Sequence, residues 1–95
     1  MGTKSRPRPA NLSRKLRQIR IGLQLSQAEM VRRLGFGDSF HVGRISEYES
    51  NLREPSLLIL LAYARVARVH LEVLVDDSIE LPARLPGPII YDRPD

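Results

Sequence analysis

Apolar residues recur along most of the chain at helical spacing. Leu12, Leu16 and Ile19 stand four and then three residues apart, which predicts a helix with one buried face from near Asn11 to about Ile21. Its other faces carry basic residues, namely Arg14, Lys15, Arg17 and Arg20. The first element is therefore predicted to be an amphipathic, basic helix.

Capping residues delimit a second helix. Ser26 followed by Glu29 is a capping box, in which each side chain binds the backbone N–H of the other residue. An apolar face follows at Met30, Val31 and Leu34. Gly35 and Gly37 then favour a left-handed stop, since glycine enters that backbone region without a side-chain penalty. The pattern predicts helix two over residues 27–34.

Three further helices are predicted. Ile45, Tyr48 and Glu49 lie on a third helix, and Asn51 is suited to be its left-handed C-cap. A fourth helix follows Pro55 and runs to about residue 67. A short fifth begins after His70, with an apolar side at Leu71, Val73, Leu74 and Val75. No strand pattern appears, and the expected fold class is all-α, with five helices in a compact domain.

The two ends of the chain differ from its middle. Residues 1–10 combine Lys4, Arg6 and Arg8 with two prolines and no acid, which predicts a flexible basic arm. From Asp76 onward four prolines exclude regular helix. Residues 78–95 are therefore expected to form a tail that is either flexible or an extended arm packed on another surface. The helical domain is thus expected to cover residues 11–77.

Composition excludes several classes of function. At 95 residues there is room for one small domain. Cysteine is absent, and His41 and His70 are isolated, so we expect no metal site and no cofactor. No nucleophile and base pair can be assembled, which argues against an enzyme. No long apolar run or signal peptide is present, so we expect no membrane partner and a cytoplasmic protein.

Charge is distributed unevenly along the chain. Residues 1–53 carry a net charge of +7 and residues 54–95 a net charge of −3, which together give the total of +4. A basic part that coincides with helices two and three is expected when one face meets phosphate groups. A solvated basic surface is the alternative reading of the same asymmetry.

The order of these elements resembles the lambda-repressor and Cro-like helix-turn-helix family, also called the xenobiotic-response-element family. The resemblance covers roughly residues 12–75. The matching residues are Leu25, Ser26, Gln27, Ala28, Glu29, then Leu34, Gly35, then Ile45, Ser46, Glu47, Tyr48, Glu49, then Arg53, Glu54, Pro55, Ser56, Leu57, and finally Val69, His70, Leu71, Glu72, Val73, Leu74. It implies a DNA-binding domain whose third helix reads the bases.

The resemblance implies phosphate contacts for Gln27 and Arg53. Gln27 lies in the first turn of helix two, where free N–H groups and the helix dipole favour an anion. We add Ser26 and Arg17 as neighbouring candidates, and Lys4, Arg6 and Arg8 as an arm for the minor groove. Exposed polar residues without such a role, and a solubilising terminus, are the alternatives.

One spacing departs from the family pattern. Gly35 and Ile45 stand ten residues apart, where about six are usual in the family. The four extra residues either lengthen the turn or start helix three a turn early, near Asp38 or Ser39. We favour the early start because a whole added turn preserves the buried face, although Gly43 inside a helix would cost about 1 kcal/mol.

Positions relative to Ile45 give the base-reading candidates implied by the resemblance. They are Val42, Gly43, Ser46 and Glu47, and Arg44 beside them is added as a candidate. Arg44 is suited to guanine through its two-pronged guanidinium. Glu47 could accept from a cytosine amino group, or be merely tolerated or paired with Arg44, whereas His41 is expected to be a loop residue. Glu49 and Arg20 match a structural ion pair of the family.

Helix four is more apolar than the family pattern. Leu57, Leu60, Leu61 and Ala64 match usual core positions, whereas Leu58, Ile59 and Ala62 stand where polar residues are usual. We expect these last three to form a dimer interface, since exposed aliphatic side chains forgo burial energy. The covering surface would be the same face of a second subunit or apolar tail residues, namely Leu81, Leu85, Ile89, Ile90 and Tyr91.

These expectations combine into one leading hypothesis. It is a sequence-specific regulator of transcription that binds double-stranded DNA as a homodimer on a palindromic operator, as a repressor associated with the nucleoid. The alternative is an antitoxin-like or adaptor module whose C-terminal tail binds a protein partner.

Overall fold

The computed structural model describes residues 7–85, and in that range the chain forms five α-helices, one 3-10 turn and no strand. The elements are α1 (Leu12–Gly22), α2 (Gln27–Leu34), the 3-10 turn (Gly37–Ser39), α3 (Gly43–Glu49), α4 (Leu57–Ala67) and α5 (Leu71–Val75). Of the residues singled out above, Lys4, Arg6, Ile89, Ile90 and Tyr91 lie outside the described range. The predicted all-α class with five helices is confirmed.

Each helix contributes apolar side chains to one core. α1 packs on α3 and α5, and α4 packs on α2 and α5. The fully buried side chains include Leu16, Ile19, Met30, Ile45, Tyr48, Tyr63 and Leu74. Each large apolar side chain buried in this way stabilises the fold by about 1.5–3 kcal/mol.

The capping signals work as predicted. Ser26 Oγ accepts from the Glu29 backbone N–H at 3.0 Å, and the Ser26 N–H donates to Glu29 Oε1 at 2.7 Å. Gly35 ends α2 at φ 84°, and Asn51 follows α3 at φ 62°. Both residues therefore adopt the left-handed conformation that their types favour.

The preferred early start of α3 is wrong. The extra residues lengthen the turn, with a 3-10 turn at Gly37–Ser39, and α3 begins only at Gly43. Phe40 explains the difference, because its ring is buried and lies 6.0 Å from the Phe36 ring and 6.2 Å from the Tyr48 ring. Its backbone is extended, at φ −103° and ψ 119°, which interrupts any helix begun earlier. Gly43 therefore occupies the first helical position and carries no penalty for an interior glycine.

Lys15 was predicted to lie on an exposed face of α1, and this prediction is wrong. It is fully buried, and its Nζ donates to the carbonyls of Val73 at 2.7 Å, Asp76 at 3.0 Å and Ile79 at 2.7 Å. Three acceptors satisfy the three donors of an ammonium group, which is why its burial is tolerated. The contact joins α1 to the end of α5 and the segment after it.

The segment after α5 packs on α1. Asp77 accepts from the backbone N–H groups of Ala10 at 2.7 Å and Asn11 at 3.0 Å, and these bonds lower the pKa of its carboxyl. Leu81 is buried in the core, and Leu85 lies against Gly22, where an added Cβ would stand 3.1 Å from a Leu85 methyl. The described part of the tail is therefore docked on its own domain.

Helix four differs from its expected pattern at Leu57 and at Ile59, which was expected on an exposed face but is half-buried against the core. Leu60 and Ala64 are buried and Leu61 is half-buried, but Leu57 is 74% exposed, so its predicted core placement is wrong. The buried stripe of α4 runs through Leu60, Tyr63, Ala64 and Ala67. Leu57 lies at the edge of that stripe and in the first turn, so its side chain stays in solvent.

Candidate nucleic-acid interface

The start of α2 offers backbone donors. Gln27 and Ala28 are the first two residues of the helix, so their N–H groups have no partner within it. The Ser26 hydroxyl accepts from Glu29 and keeps its own proton for a further acceptor. Hydrogen bonds from Ser26 also lower the pKa of Glu29. Gln27 is half-buried and Arg17, on α1, is exposed.

The outer face of α3 carries the predicted base-reading residues. Ile45 and Tyr48 anchor this helix in the core. Arg44 and Ser46, on either side of Ile45 along the chain, are exposed, with Gly43 half-buried and Val42 exposed at the helix start. Among residues 7–85, no hydrogen bond or ion pair engages the Arg44 guanidinium, which is therefore available to a ligand.

Glu47 has a partner that the sequence did not suggest. Its Oε1 accepts from Arg53 Nε at 2.7 Å, so the pairing considered with Arg44 is wrong. The ion pair joins a candidate base reader to a candidate phosphate binder. The two residues would have to share or exchange partners when DNA is bound.

His41 supports the start of α3. Its Nδ1 accepts from the Gly43 backbone N–H at 3.2 Å, while the N-cap residue Val42 provides no side-chain bond. This role was missed because it depends on where α3 begins, which the sequence left open. His41 is thus a loop residue, as expected, with a capping contact in addition.

An ion pair behind the interface orients α3. Arg20 binds Glu49 through two hydrogen bonds and also donates to the Leu25 carbonyl at 3.0 Å, which confirms the predicted pair. The contact with Glu49 raises the pKa of Arg20. Tyr63 lies fully buried nearby, and no hydrogen bond reaches its hydroxyl from residues 7–85. Burial, followed by the charge of Glu49, raises the pKa of Tyr63.

The described part of the N-terminal arm lies beside the end of α3. Arg8 Nη1 is 3.5 Å from the Asn51 carbonyl, in a small pocket that Arg53 also lines. Lys4 and Arg6 are outside the described residues. Arg8 and Arg53 therefore place two cationic side chains at the C-terminal end of α3.

A groove on another face is lined by α2 and α4. Its volume is about 350 Å³, and its lining is apolar except for Arg33 and Arg65. Leu58, which is 68% exposed, and Ala62 line it, whereas Ile59 is half-buried and packs against the core. This is the face on which a dimer interface is predicted.

Comparison with known proteins identifies the family. A family model described as helix-turn-helix matches residues 16–74, which is more than half of the chain. Searches among curated proteins and among solved structures found no match. Within residues 7–85, no helix has the length and apolarity needed to cross a membrane. The chain belongs to the helix-turn-helix family of the Cro/C1 type, a family of DNA-binding transcription regulators and not of enzymes.

Proposed function

We propose that this protein is a sequence-specific transcription repressor that binds double-stranded DNA as a homodimer on a palindromic operator. The supporting observation is the outer face of α3, where Arg44 and Ser46 are exposed while Ile45 and Tyr48 fix the helix in the core. An exposed helix of this kind fits the major groove, where base edges are distinguishable. Repression then follows from occupying a promoter.

Phosphate contacts set the position of the domain on the duplex. Gln27 and Ser26 lie at the start of α2, Arg17 on α1, and Arg53 after α3. Arg8 lines the same small pocket as Arg53 and extends this set, and the arm with Lys4 and Arg6 is proposed to reach the adjacent minor groove. Such an arrangement would place α3 between two groups of backbone contacts.

The homodimer is proposed to form through the groove between α2 and α4. Leu58 is mostly exposed there, and burying it would contribute about 1.5–3 kcal/mol per subunit. A two-fold dimer would place two recognition helices about 34 Å apart, one DNA turn. The alternative in which the tail binds a protein partner has less support, since Leu81 and Leu85 already contact their own domain. Association with the nucleoid would follow from DNA binding.

Salt dependence tests the proposal. If each subunit contacts about four phosphates, the slope of log affinity against log salt should be near −7 for the dimer. Fluorescence anisotropy on a labelled 30-base-pair duplex between about 50 and 200 mM salt measures it. A slope flatter than about −2 would contradict DNA binding through these residues.

A further inference from the structure

The ion pair between Glu47 and Arg53 lies on the surface proposed to meet DNA. Glu47 belongs to the second half of α3, and Arg53 follows six residues later in the loop before α4. Their side chains are 42% and 51% exposed. Without DNA, the carboxylate therefore neutralises the cation that is expected to bind a phosphate.

Backbone contacts hold the two residues in register. The Glu47 carbonyl accepts from the N–H groups of Leu52 at 2.9 Å and Arg53 at 3.3 Å. Asn51, at φ 62°, turns the chain so that these bonds can form. Since the backbone of Arg53 is fixed against α3, only side-chain rotations are needed to exchange its partner.

Such an exchange is energetically accessible. An ion pair this exposed to solvent contributes little to stability, whereas an arginine and phosphate contact is charge-assisted and releases counterions. The remaining problem is Glu47, whose charge would be left beside the DNA backbone. In the major groove, the cytosine amino group is a donor that can satisfy a carboxylate.

We propose that Glu47 couples base reading to phosphate binding. It holds Arg53 in the free protein and on unmatched DNA, and it releases Arg53 to a phosphate when its carboxylate binds a cytosine amino group in the operator. Glu47 is then a specificity-determining residue that weakens binding to wrong sequences. The inference rests on the proposed function, since it describes events on that same surface.

The test is a double-mutant cycle on the full-length chain. Affinities of wild type, Glu47→Gln, Arg53→Gln and the double variant are measured by anisotropy on the duplex selected by the wild type and on a random duplex. Glu47→Gln should tighten binding to random DNA by about two- to fivefold and weaken binding to the selected duplex. It should also steepen the salt slope by about 0.9 per subunit on random DNA.

The Arg53→Gln background separates coupling from simple repulsion. There, Glu47→Gln should no longer tighten binding to random DNA, because no arginine is left to release. Glu72→Gln, on the exposed side of α5, is the control with the same change in net charge and should leave the preference between duplexes unchanged.

Two results would overturn the coupling while the proposed function stands. One is that Glu47→Gln tightens binding to random DNA equally with and without Arg53. The other is that Glu47→Gln changes the affinity for neither duplex. If the wild type binds no duplex, the proposed function fails and the coupling with it.

Discussion

The Arg20 guanidinium on α1 and the Glu49 carboxylate on α3 form an ion pair through two hydrogen bonds, Nε to Oε2 at 2.7 Å and Nη2 to Oε1 at 3.0 Å. The side chains are only 12% and 5% exposed. A third bond from Arg20 to the Leu25 carbonyl ties the pair to the loop before α2. The orientation of α3 thus depends on a contact behind the surface proposed to face DNA.

Glu49→Ala should lower the free energy of unfolding by about 3 kcal/mol or more, because it leaves the Arg20 charge shielded from water and unpaired. Urea denaturation followed by circular dichroism measures the change. The control is the double variant Arg20→Met with Glu49→Leu, which removes both charges and should lose clearly less. A larger loss in the double variant would contradict the role given to the pair.

Lys15→Met should lower the free energy of unfolding by about 2–3 kcal/mol, because three carbonyls of α5 and of the segment after it lose their donor. Arg14→Met is the matched control. Arg14 is adjacent but exposed, so its replacement should change stability by less than about 0.5 kcal/mol. Similar losses for both variants would mean that the buried ammonium is not a structural contact.

Asp77→Asn should make stability less dependent on pH in the acid range. The folded pKa of Asp77 is lowered by bonds from Ala10 and Asn11, so its contribution is present above the unfolded value of about 4 and is lost as pH falls through the folded pKa. The urea concentration at the unfolding midpoint should therefore be higher for the wild type than for the variant at pH 7. This difference should become smaller as the pH falls towards 2. A constant difference would show that the charge of Asp77 is not what stabilises the start of α1.

Leu58→Glu should convert the proposed dimer to a monomer with weaker operator binding, because it places a charge in the groove between α2 and α4. Leu57→Glu is the control, since Leu57 is at least as exposed as Leu58 on the same helix but does not line the groove. Sedimentation equilibrium gives the oligomeric state of each variant. Loss of the dimer in both variants, or in neither, would place the interface elsewhere.

Local signals in the sequence were sufficient for most of the fold. The capping box at Ser26 and the left-handed residues Gly35 and Asn51 depend on contacts within a few residues, and they were predicted correctly. The contacts of Lys15 and Asp77 could not be predicted from local signals, because their partners lie 58 to 67 residues away. The spacing of Lys15 with Leu12, Leu16 and Ile19 places it on the buried face of α1, but no local signal identifies the three carbonyls that satisfy its ammonium group.

The candidate site shows the same division. The exposed positions of α3 follow from helical periodicity once Ile45 is placed in the core. The start of that helix depends on the burial of Phe40 against Phe36 and Tyr48, which is a tertiary contact. The partner of Glu47, by contrast, is local: the turn at Asn51 brings Arg53, six residues further along the chain, back to the helix.

Selection of bound sequences from a random duplex pool, with wild type and with Arg44→Ala, tests DNA reading by α3 most directly. The wild type should enrich a palindrome whose half-sites are centred about one DNA turn, roughly 34 Å, apart. Arg44→Ala should relax the preference at one base pair per half-site, at about 1–3 kcal/mol on the best site. No enriched sequence for the wild type, or the same preference at every position for Arg44→Ala, would contradict base reading by this helix.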